Sequence, residues 1–272
     1  MQNFRKMVIF ANWKIYLGSR NEVIDYLKTF KENLGTFDPD ILEVHIMTDI
    51  LSFEFVKNQF LNNDIKVGVQ DLFYEDRGAF AGAVSPLMLK DLGCDSAYLG
   101  HSERKIYFGE TDENVNRKVH ACLRNGITPM MFVGETRQEL EEGRTEEVLK
   151  TQLSVGLRGV STERLQRVVL IYEPRWAIGQ RESASPETIS TMHIKTRQLL
   201  AALYGGADNV SGIRVLYGGS VNLENIYEVL RLKDADGIGA ARAAMDPLDF
   251  IKLIRLTEAE AKKRSDYFTS SI

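Results

Sequence analysis

The chain has 272 residues, of which 44% are hydrophobic and 26% charged, enough apolar material for a sizeable core. This composition excludes disordered, collagen-like and disulfide-framework proteins. Its 34 Lys and Arg against 38 Asp and Glu give a net charge of −4, which argues against a nucleic-acid partner or an anionic-membrane surface.

Eight short apolar runs with the residue types of β-strands recur along the chain. They cover residues 7–11, 42–47, 66–70, 96–99, 127–133, 168–172, 213–217 and 236–239. Stretches with helical spacing follow most of them, and Ser185-Pro186 provides a start for the helix between the sixth and seventh runs. The charged segment 135–150, followed by Leu153 and Leu157, predicts one long helix with a solvated face.

This alternation predicts parallel strands joined by right-handed crossovers. Eight strand–helix units are what a (β/α)₈ TIM barrel, an α/β fold, requires, and an open doubly wound sheet is the structural alternative. No linker or low-complexity tract divides the chain, so we expect a single domain over residues 1–272. In either architecture ligands bind at the C-terminal ends of the strands, where we therefore look for chemistry.

The two cysteines, Cys94 and Cys122, have neither zinc-ligand spacing nor the density of a secreted scaffold. They indicate a reducing compartment and suggest no metal site. The chain shows no signal-peptide pattern and no apolar stretch of the roughly 20 residues that cross a bilayer. We expect a cytoplasmic protein without a membrane partner.

Polar residues follow the first and fourth runs. Lys14 could supply a fixed positive charge for an anionic substrate, and Asn12 could hold Lys14 by a hydrogen bond. A surface lysine beside a packed tryptophan would show the same sequence and is the alternative. His101 precedes Ser102, a suitable helix N-cap. An imidazole at a helix N-terminus favours its neutral form and can donate to a carbonyl oxygen, or His101 is merely a neighbour of the cap.

Glu173 and Pro174 follow the sixth run. Pro174 disfavours the α conformation for Glu173 and holds its carboxylate at the mouth of the strand. The carboxylate is a candidate general base if a closing loop excludes water, and a strand-end salt bridge is the alternative. The apolar segment that ends at Gly179 could form such a lid or simply pack.

Glycine-rich turns follow the seventh and eighth runs, Gly218-Gly219-Ser220 and 237–242, which ends in Ala241-Arg242. Backbone N–H groups in such turns can converge on an anion, and in barrels phosphate binds in these two loops. Either turn alone is weak evidence, but the two together favour a phosphate-binding site. Dinucleotide, P-loop, metalloprotease and nucleophile-elbow motifs are not found, so we expect a site without a cofactor.

Taken together, the motifs resemble those of the triosephosphate isomerase family over residues 7 to about 256. The matching segments are 12–14, 78–80, 98–104, 133–135, 172–174, 176–179 and 217–222. The resemblance implies a (β/α)₈ barrel at about 7–256, a homodimer, and a charged C-terminal tail at 257–272. This isomerase is itself a standard example of a glutamate base working with a neutral histidine, so these roles come from the resemblance.

Carried over by position, the resemblance implies that Glu173 is the base, His101 the electrophile, and Asn12 and Lys14 substrate contacts. Glu103 would orient Lys14. In the same way, Gly179 and Ser220 would donate to the phosphate of a small sugar phosphate. The implied reaction interconverts glyceraldehyde 3-phosphate and dihydroxyacetone phosphate through an enediolate, with residues 174–184 closing over the site.

Several positions depart from the family pattern. Ala241-Arg242 replaces a phosphate-binding Gly-Gly, and the lid carries Arg175 and an unusual sequence at 180–183. In the interface loop, Ala81 removes an intersubunit hydrogen-bonding group and Ala83 removes the usual partner of Arg104. A phenylalanine, Phe132, replaces a cysteine.

These departures spare the implied chemical residues and leave two alternatives open. One is an isomerase or racemase of a four-carbon ketose phosphate such as erythrulose phosphate. The other is a non-catalytic sugar-phosphate-binding barrel.

Overall fold

A computed structural model describes residues 4–177 and 183–270. Its eight strands are parallel and close into a barrel in chain order, with the first strand pairing with the eighth. The strands are β1 Met7–Asn12, β2 Leu42–Thr48, β3 Ile65–Val69, β4 Ser96–Leu99, β5 Thr128–Val133, β6 Val169–Tyr172, β7 Arg214–Tyr217 and β8 Gly237–Ala240. The predicted (β/α)₈ barrel is confirmed, and the open sheet is wrong because β1 and β8 complete the ring.

Helices follow the strands and pack against them from outside. They are α1 Arg20–Leu34, α2 Ile50–Asn58, α3 Pro86–Asp91, α4 Ser102–Phe108, α5 Asp112–Asn125, α6 Arg137–Glu141, α7 Thr145–Gly156, α8 Thr162–Leu165, α9 Pro186–Leu203, α10 Ile226–Leu230 and α11 Pro247–Ser270. Short polar side chains start many of them. Ser185, for example, accepts from the backbone N–H of Thr188 while Pro186 occupies the first helical position, as predicted.

The single long helix predicted from residue 135 onward is wrong. The structure divides the segment into α6 and α7, because Gly143 lies between them with φ 70°. That left-handed conformation ends a helix and is open to glycine at little cost. Thr136 and Glu139 form a capping box at the start of α6, so the segment carries its own start and stop signals.

The charged C-terminal residues continue the last helix, α11, as far as Ser270. Thr257 and Ala261 are buried on its inner face. Arg264 donates to the backbone carbonyls of Ala235 at 2.8 Å and Leu232 at 3.0 Å. These contacts tie the extension to the chain that leads into β8.

Aromatic side chains fill the barrel interior below its C-terminal mouth. The rings of Phe10 and Tyr98 pack edge to face with their centroids 5.4 Å apart, and those of Tyr98 and Phe132 do so with centroids 4.8 Å apart. A Cβ built at Gly239 would lie 2.0 Å from the Phe10 ring, so the absence of a side chain in β8 makes room for this ring. Packing against this ring therefore accounts for the glycine at position 239.

Within residues 4–177 and 183–270, we find no helix with the length and apolar character needed to cross a membrane. Cys94 and Cys122 are both free thiols buried in the protein.

His193, on α9, is fully buried, and its Nδ1 lies 3.2 Å from the carbonyl oxygen of Asp234. Burial lowers the pKa of His193 to about 4. The unfolded chain takes up this proton near pH 6.5, so the stability that the neutral ring contributes is complete above pH 6.5 and is lost as the pH falls toward 4. We expect this residue to lower the free energy of unfolding by about 2 kcal/mol between pH 7 and pH 5.

Urea unfolding at several pH values checks this expectation against the variant His193→Gln, which cannot titrate. The pH dependence of the free energy of unfolding should be shallower in the variant. His45, which is also buried with a lowered pKa, adds to the loss in both proteins, so the difference isolates His193. Equal slopes in the two proteins would show that His193 does not titrate as stated.

Candidate active site

One cavity of about 530 Å³ lies at the C-terminal mouth of the barrel and brings together nine of the residues singled out from the sequence. Those nine are Asn12, Lys14, His101, Glu173, Gly218, Gly219, Ser220, Ala241 and Arg242. Glu103 is not part of the lining but contacts Lys14. Gly179 and positions 180–182 of the expected lid lie outside the described residues.

Glu173 follows β6 directly, and its backbone N–H continues the ladder by donating to Val133 at 2.8 Å. The residue is only 3% exposed. One carboxylate oxygen accepts from the backbone N–H of Ser102 at 2.9 Å, and the other lies 3.2 Å from Nε2 of His101. The first turn of α4 thus holds the carboxylate beside the imidazole and away from bulk water.

His101 is itself the N-cap of α4, so the expectation that Ser102 caps this helix is wrong. Its Nδ1 accepts from the backbone N–H of Glu103 at 3.2 Å, and Ser102 is the first helical residue. Because Nδ1 accepts, the neutral ring carries its hydrogen on Nε2. Nε2 lies 3.2 Å from Glu173 and 3.4 Å from Asn12, on the cavity side.

Lys14 is the one non-glycine residue with a positive φ, 46°, in the described part of the chain. Such a conformation costs of order 1–3 kcal/mol and persists only where neighbours impose it. Its N–H donates to Asn12 Oδ1 at 3.1 Å, and its carbonyl accepts from Gln70 Nε2 at 2.9 Å. Its Nζ lies 2.6 Å from Glu103 Oε1, so both the backbone and the ammonium group of Lys14 are fixed in place.

Sequence reasoning did not single out Gln70, which also donates to the carbonyl of Met47 at 3.1 Å. A polar residue at the C-terminal end of the third predicted strand was the available signal. Its role depends on a contact with Lys14, 56 positions away, which local pattern does not show.

The chain is anchored to the barrel on both sides of residues 178–182. Before that segment, Glu135, fully buried, accepts from Trp176 Nε1 at 2.7 Å and from the Tyr172 hydroxyl at 3.2 Å. After it, the backbone N–H of Ala184 donates to the Tyr217 hydroxyl at 2.9 Å, and burial raises the pKa of Tyr217 to about 12. The sequence motifs contained Glu135 but assigned it no role.

The loop after β7 lies tightly against its neighbours. A Cβ at Gly218 would come within 2.5 Å of Ile171, and one at Gly219 within 2.0 Å of the Tyr217 hydroxyl. Side chains are excluded here, which leaves the backbone of the loop facing the cavity. Ser220 donates its hydroxyl to the carbonyl of Ala177 at 3.1 Å, linking this loop to the chain before the segment 178–182.

Arg242 stands at the exposed rim of the cavity and opens a 3₁₀ turn, Arg242–Ala244, after β8. Lys14 and Arg242 are the cationic residues of the described lining, which also includes the acidic Glu173, Glu224 and Asp249. The described residues contain no group of three or more His, Cys, Asp or Glu that could hold a metal ion.

A parallel eight-stranded barrel that gathers a carboxylate, an imidazole and an ammonium group at its C-terminal mouth defines the class of (β/α)₈ barrels equipped for acid–base chemistry on a small ligand. The family model described as Triosephosphate isomerase matches residues 7–257. The chain belongs to the triosephosphate isomerase family, which confirms the resemblance.

Relatives named triosephosphate isomerase are similar over nearly their whole length. The protein of Thermodesulfovibrio yellowstonii is 36% identical over 258 residues, covering 92% of this chain and 99% of the relative. That of Thermoanaerobacter pseudethanolicus is 37% identical over 250 residues, and that of Herpetosiphon aurantiacus 38% over 252, with the same two coverages.

Proposed function

We propose that this protein is an isomerase that interconverts glyceraldehyde 3-phosphate and dihydroxyacetone phosphate without a cofactor. The observation that carries the proposal is the convergence of Glu173, His101 and Lys14 on one cavity. Membership of the family, with relatives named triosephosphate isomerase, supports the same substrate pair. Because a general base, a hydrogen-bond donor and a cation converge here, the cavity fits a catalytic site better than a site that only binds a sugar phosphate.

In the proposed reaction, Glu173 removes a proton from the carbon next to the substrate carbonyl. Nε2–H of His101 and Nζ of Lys14 donate to the oxygens of the enediolate, where negative charge develops. The carboxylic acid of Glu173 then returns the proton to the neighbouring carbon, while the proton of the substrate hydroxyl passes to the former carbonyl oxygen. These two transfers complete the exchange of aldose and ketose. Asn12 and Glu103 hold Lys14 in position.

The phosphate of the substrate would lie between the loops after β7 and β8. Gly219, Ser220 and Ala241 would direct backbone donors there, joined by Gly179 from outside the described residues, whereas the N–H of Gly218 donates to the carbonyl of Tyr172 at 2.9 Å. Arg242 adds a guanidinium, which can bind two phosphate oxygens at once. Closure of residues 174–184 over this end would exclude water and protect the enediolate.

Replacing Arg242 with Gln is expected to raise KM for the sugar phosphate, and the inhibition constant of inorganic phosphate, by about 10-fold or more, because a charge-assisted hydrogen bond contributes about 1.5–3 kcal/mol. Arg231→Gln removes the same charge from an exposed position outside the cavity lining and is the matched control. Equal inhibition constants in the two variants would remove Arg242 from the phosphate site.

Steady-state assays of the purified protein in buffer with EDTA test the proposed substrate. We expect kcat/KM for glyceraldehyde 3-phosphate to exceed that for tetrulose phosphates. A ratio that favours the four-carbon substrates would replace the triose assignment. No turnover of any short ketose or aldose phosphate, together with binding, would favour the non-catalytic alternative.

We also propose a cytoplasmic homodimer. Three consecutive apolar side chains of α4 are largely exposed, Ile106, Tyr107 and Phe108, at 56%, 75% and 67%. Such a patch fits an interface with a second copy. The two free, buried cysteines fit a reducing compartment. Light scattering after size-exclusion chromatography at micromolar concentration is expected to give twice the chain mass.

A further inference from the structure

Next to the candidate active site, four charged side chains form a cluster between the end of β3 and helices α4 and α5. Asp71 accepts from Lys118 Nζ at 2.5 Å and from Arg104 Nη2 at 2.8 Å. Lys118 also pairs with Glu110, and both residues are more than nine-tenths buried. We call Asp71, Arg104, Glu110 and Lys118 the ion cluster.

The ion cluster reaches the backbone that carries His101. Glu110 Oε2 accepts from the N–H of Gly100 at 3.0 Å, and Gly100, with φ 76°, directly precedes His101. Arg104 lies in the first turn of α4, which His101 caps, and its N–H donates to the carbonyl of His101 at 2.9 Å. A displacement of this cluster would therefore move the imidazole.

Asp71 supplies Arg104 with a carboxylate from the same chain. The family pattern has the usual partner of Arg104 at the position of Ala83, where this chain has no carboxylate to offer. Ala83 and Arg104 line the same cavity of about 340 Å³, together with Asp71, Glu110 and Lys118. In this chain the guanidinium pairs with Asp71.

We propose that Asp71 is a positioning residue for His101: by holding Arg104 and Lys118, it fixes Glu110 and the Gly100–His101 peptide so that Nε2 stays aimed into the cavity. The proposal rests on the proposed function, in which that nitrogen donates to the enediolate. It adds a residue outside the cavity to the groups on which the reaction depends.

The energetics of Asp71 separate this role from a purely structural one. Burial raises its pKa, with the nearby Lys118 and Arg104 opposing and Glu110 reinforcing the rise. An acid whose pKa is raised on folding destabilises the fold when ionised, so removing its charge is not expected to cost stability. Asp71→Asn keeps an oxygen acceptor and removes only the charge.

Asp76 is the matched control on the same loop. It pairs with Arg124 at 3.0 Å, and hydrogen bonds from Arg124 hold its pKa below its usual value. Its charge therefore favours the folded state, and its partners Arg124, Asn125 and Ser85 lie outside the ion cluster.

We expect Asp71→Asn to lower kcat about 10-fold, with KM within twofold and an unchanged thermal midpoint, because the loss falls on a transition-state contact. Asp71→Glu, which restores the charge, should recover part of kcat. Asp76→Asn should leave kcat unchanged and lower the thermal midpoint slightly. The ring ¹⁵N signals of His101 should shift in Asp71→Asn but not in Asp76→Asn.

Unchanged kcat and unchanged His101 ring signals in Asp71→Asn would overturn the proposal. A fall in kcat of Asp71→Asn that is accompanied by a fall in its thermal midpoint would also overturn the proposal, because it would indicate a general loss of structure. If the wild-type protein isomerises no triose phosphate, the proposed function fails. The ring signals then still decide separately whether Asp71 positions His101.

Discussion

Replacing Glu173 with Gln is expected to lower kcat by about 10³- to 10⁴-fold, the range in which a general base contributes most strongly. The amide has the size of the carboxylate and retains an oxygen that can accept from the N–H of Ser102, 2.9 Å away in the native protein. It cannot take up a proton from carbon. KM should change little, since the substrate's phosphate end is untouched.

Two measurements accompany the kinetics of this variant. The thermal midpoint should stay close to that of the wild type, because the buried side chain keeps its volume. Glu224→Gln, which neutralises an exposed carboxylate on the rim of the same cavity, should retain nearly full turnover. Near-normal turnover in Glu173→Gln would rule out Glu173 as the base.

Replacing His101 with Gln is expected to lower kcat by about 10²- to 10³-fold, as the loss of one donor to a developing oxyanion does in other enzymes. The native ring donates from Nε2 because its Nδ1 accepts from Glu103 at the start of α4. A glutamine has a donor amide, but its flexible chain does not hold that amide at the position of the ring nitrogen. The defect should appear in kcat more than in KM.

His120→Gln is the matched control, since this histidine on α5 contacts the carbonyl of Arg158 and lies outside the cavity lining. Its kcat should equal that of the wild type. The double variant Glu173→Gln/His101→Gln should lose much less than the product of the single losses, because the two groups act on one transition state. Fully multiplicative losses would contradict a shared role.

The barrel could be predicted because its signals are local. Eight apolar runs separated by helical patterns indicate eight strands, and no predicted strand differs from the observed one by more than one residue at either end. The errors were also local. The charge pattern around Gly143 concealed a helix stop, and His101 took the capping position that Ser102 was expected to fill.

The candidate site could be predicted as far as residues that lie within two positions of the C-terminal end of a strand. Glu173, His101 and Lys14 do so, and barrel geometry brings strand ends together. Gln70 and Asp71 also follow a strand, yet their partners lie at Lys14 and Lys118, on other elements. Local sequence patterns do not indicate such contacts, because the contacts depend on how α4 and α5 pack against β3.

Deuterium exchange tests the central claim, proton transfer through Glu173, most directly. The purified protein is incubated in D₂O with EDTA and dihydroxyacetone phosphate, and deuterium at the carbon bearing the hydroxyl is followed by proton NMR. We expect incorporation by the wild type at a rate comparable to turnover, and at least about 10³-fold slower incorporation by Glu173→Gln. Isomerisation by the wild type without any solvent deuterium, or equal exchange by both proteins, would contradict the account.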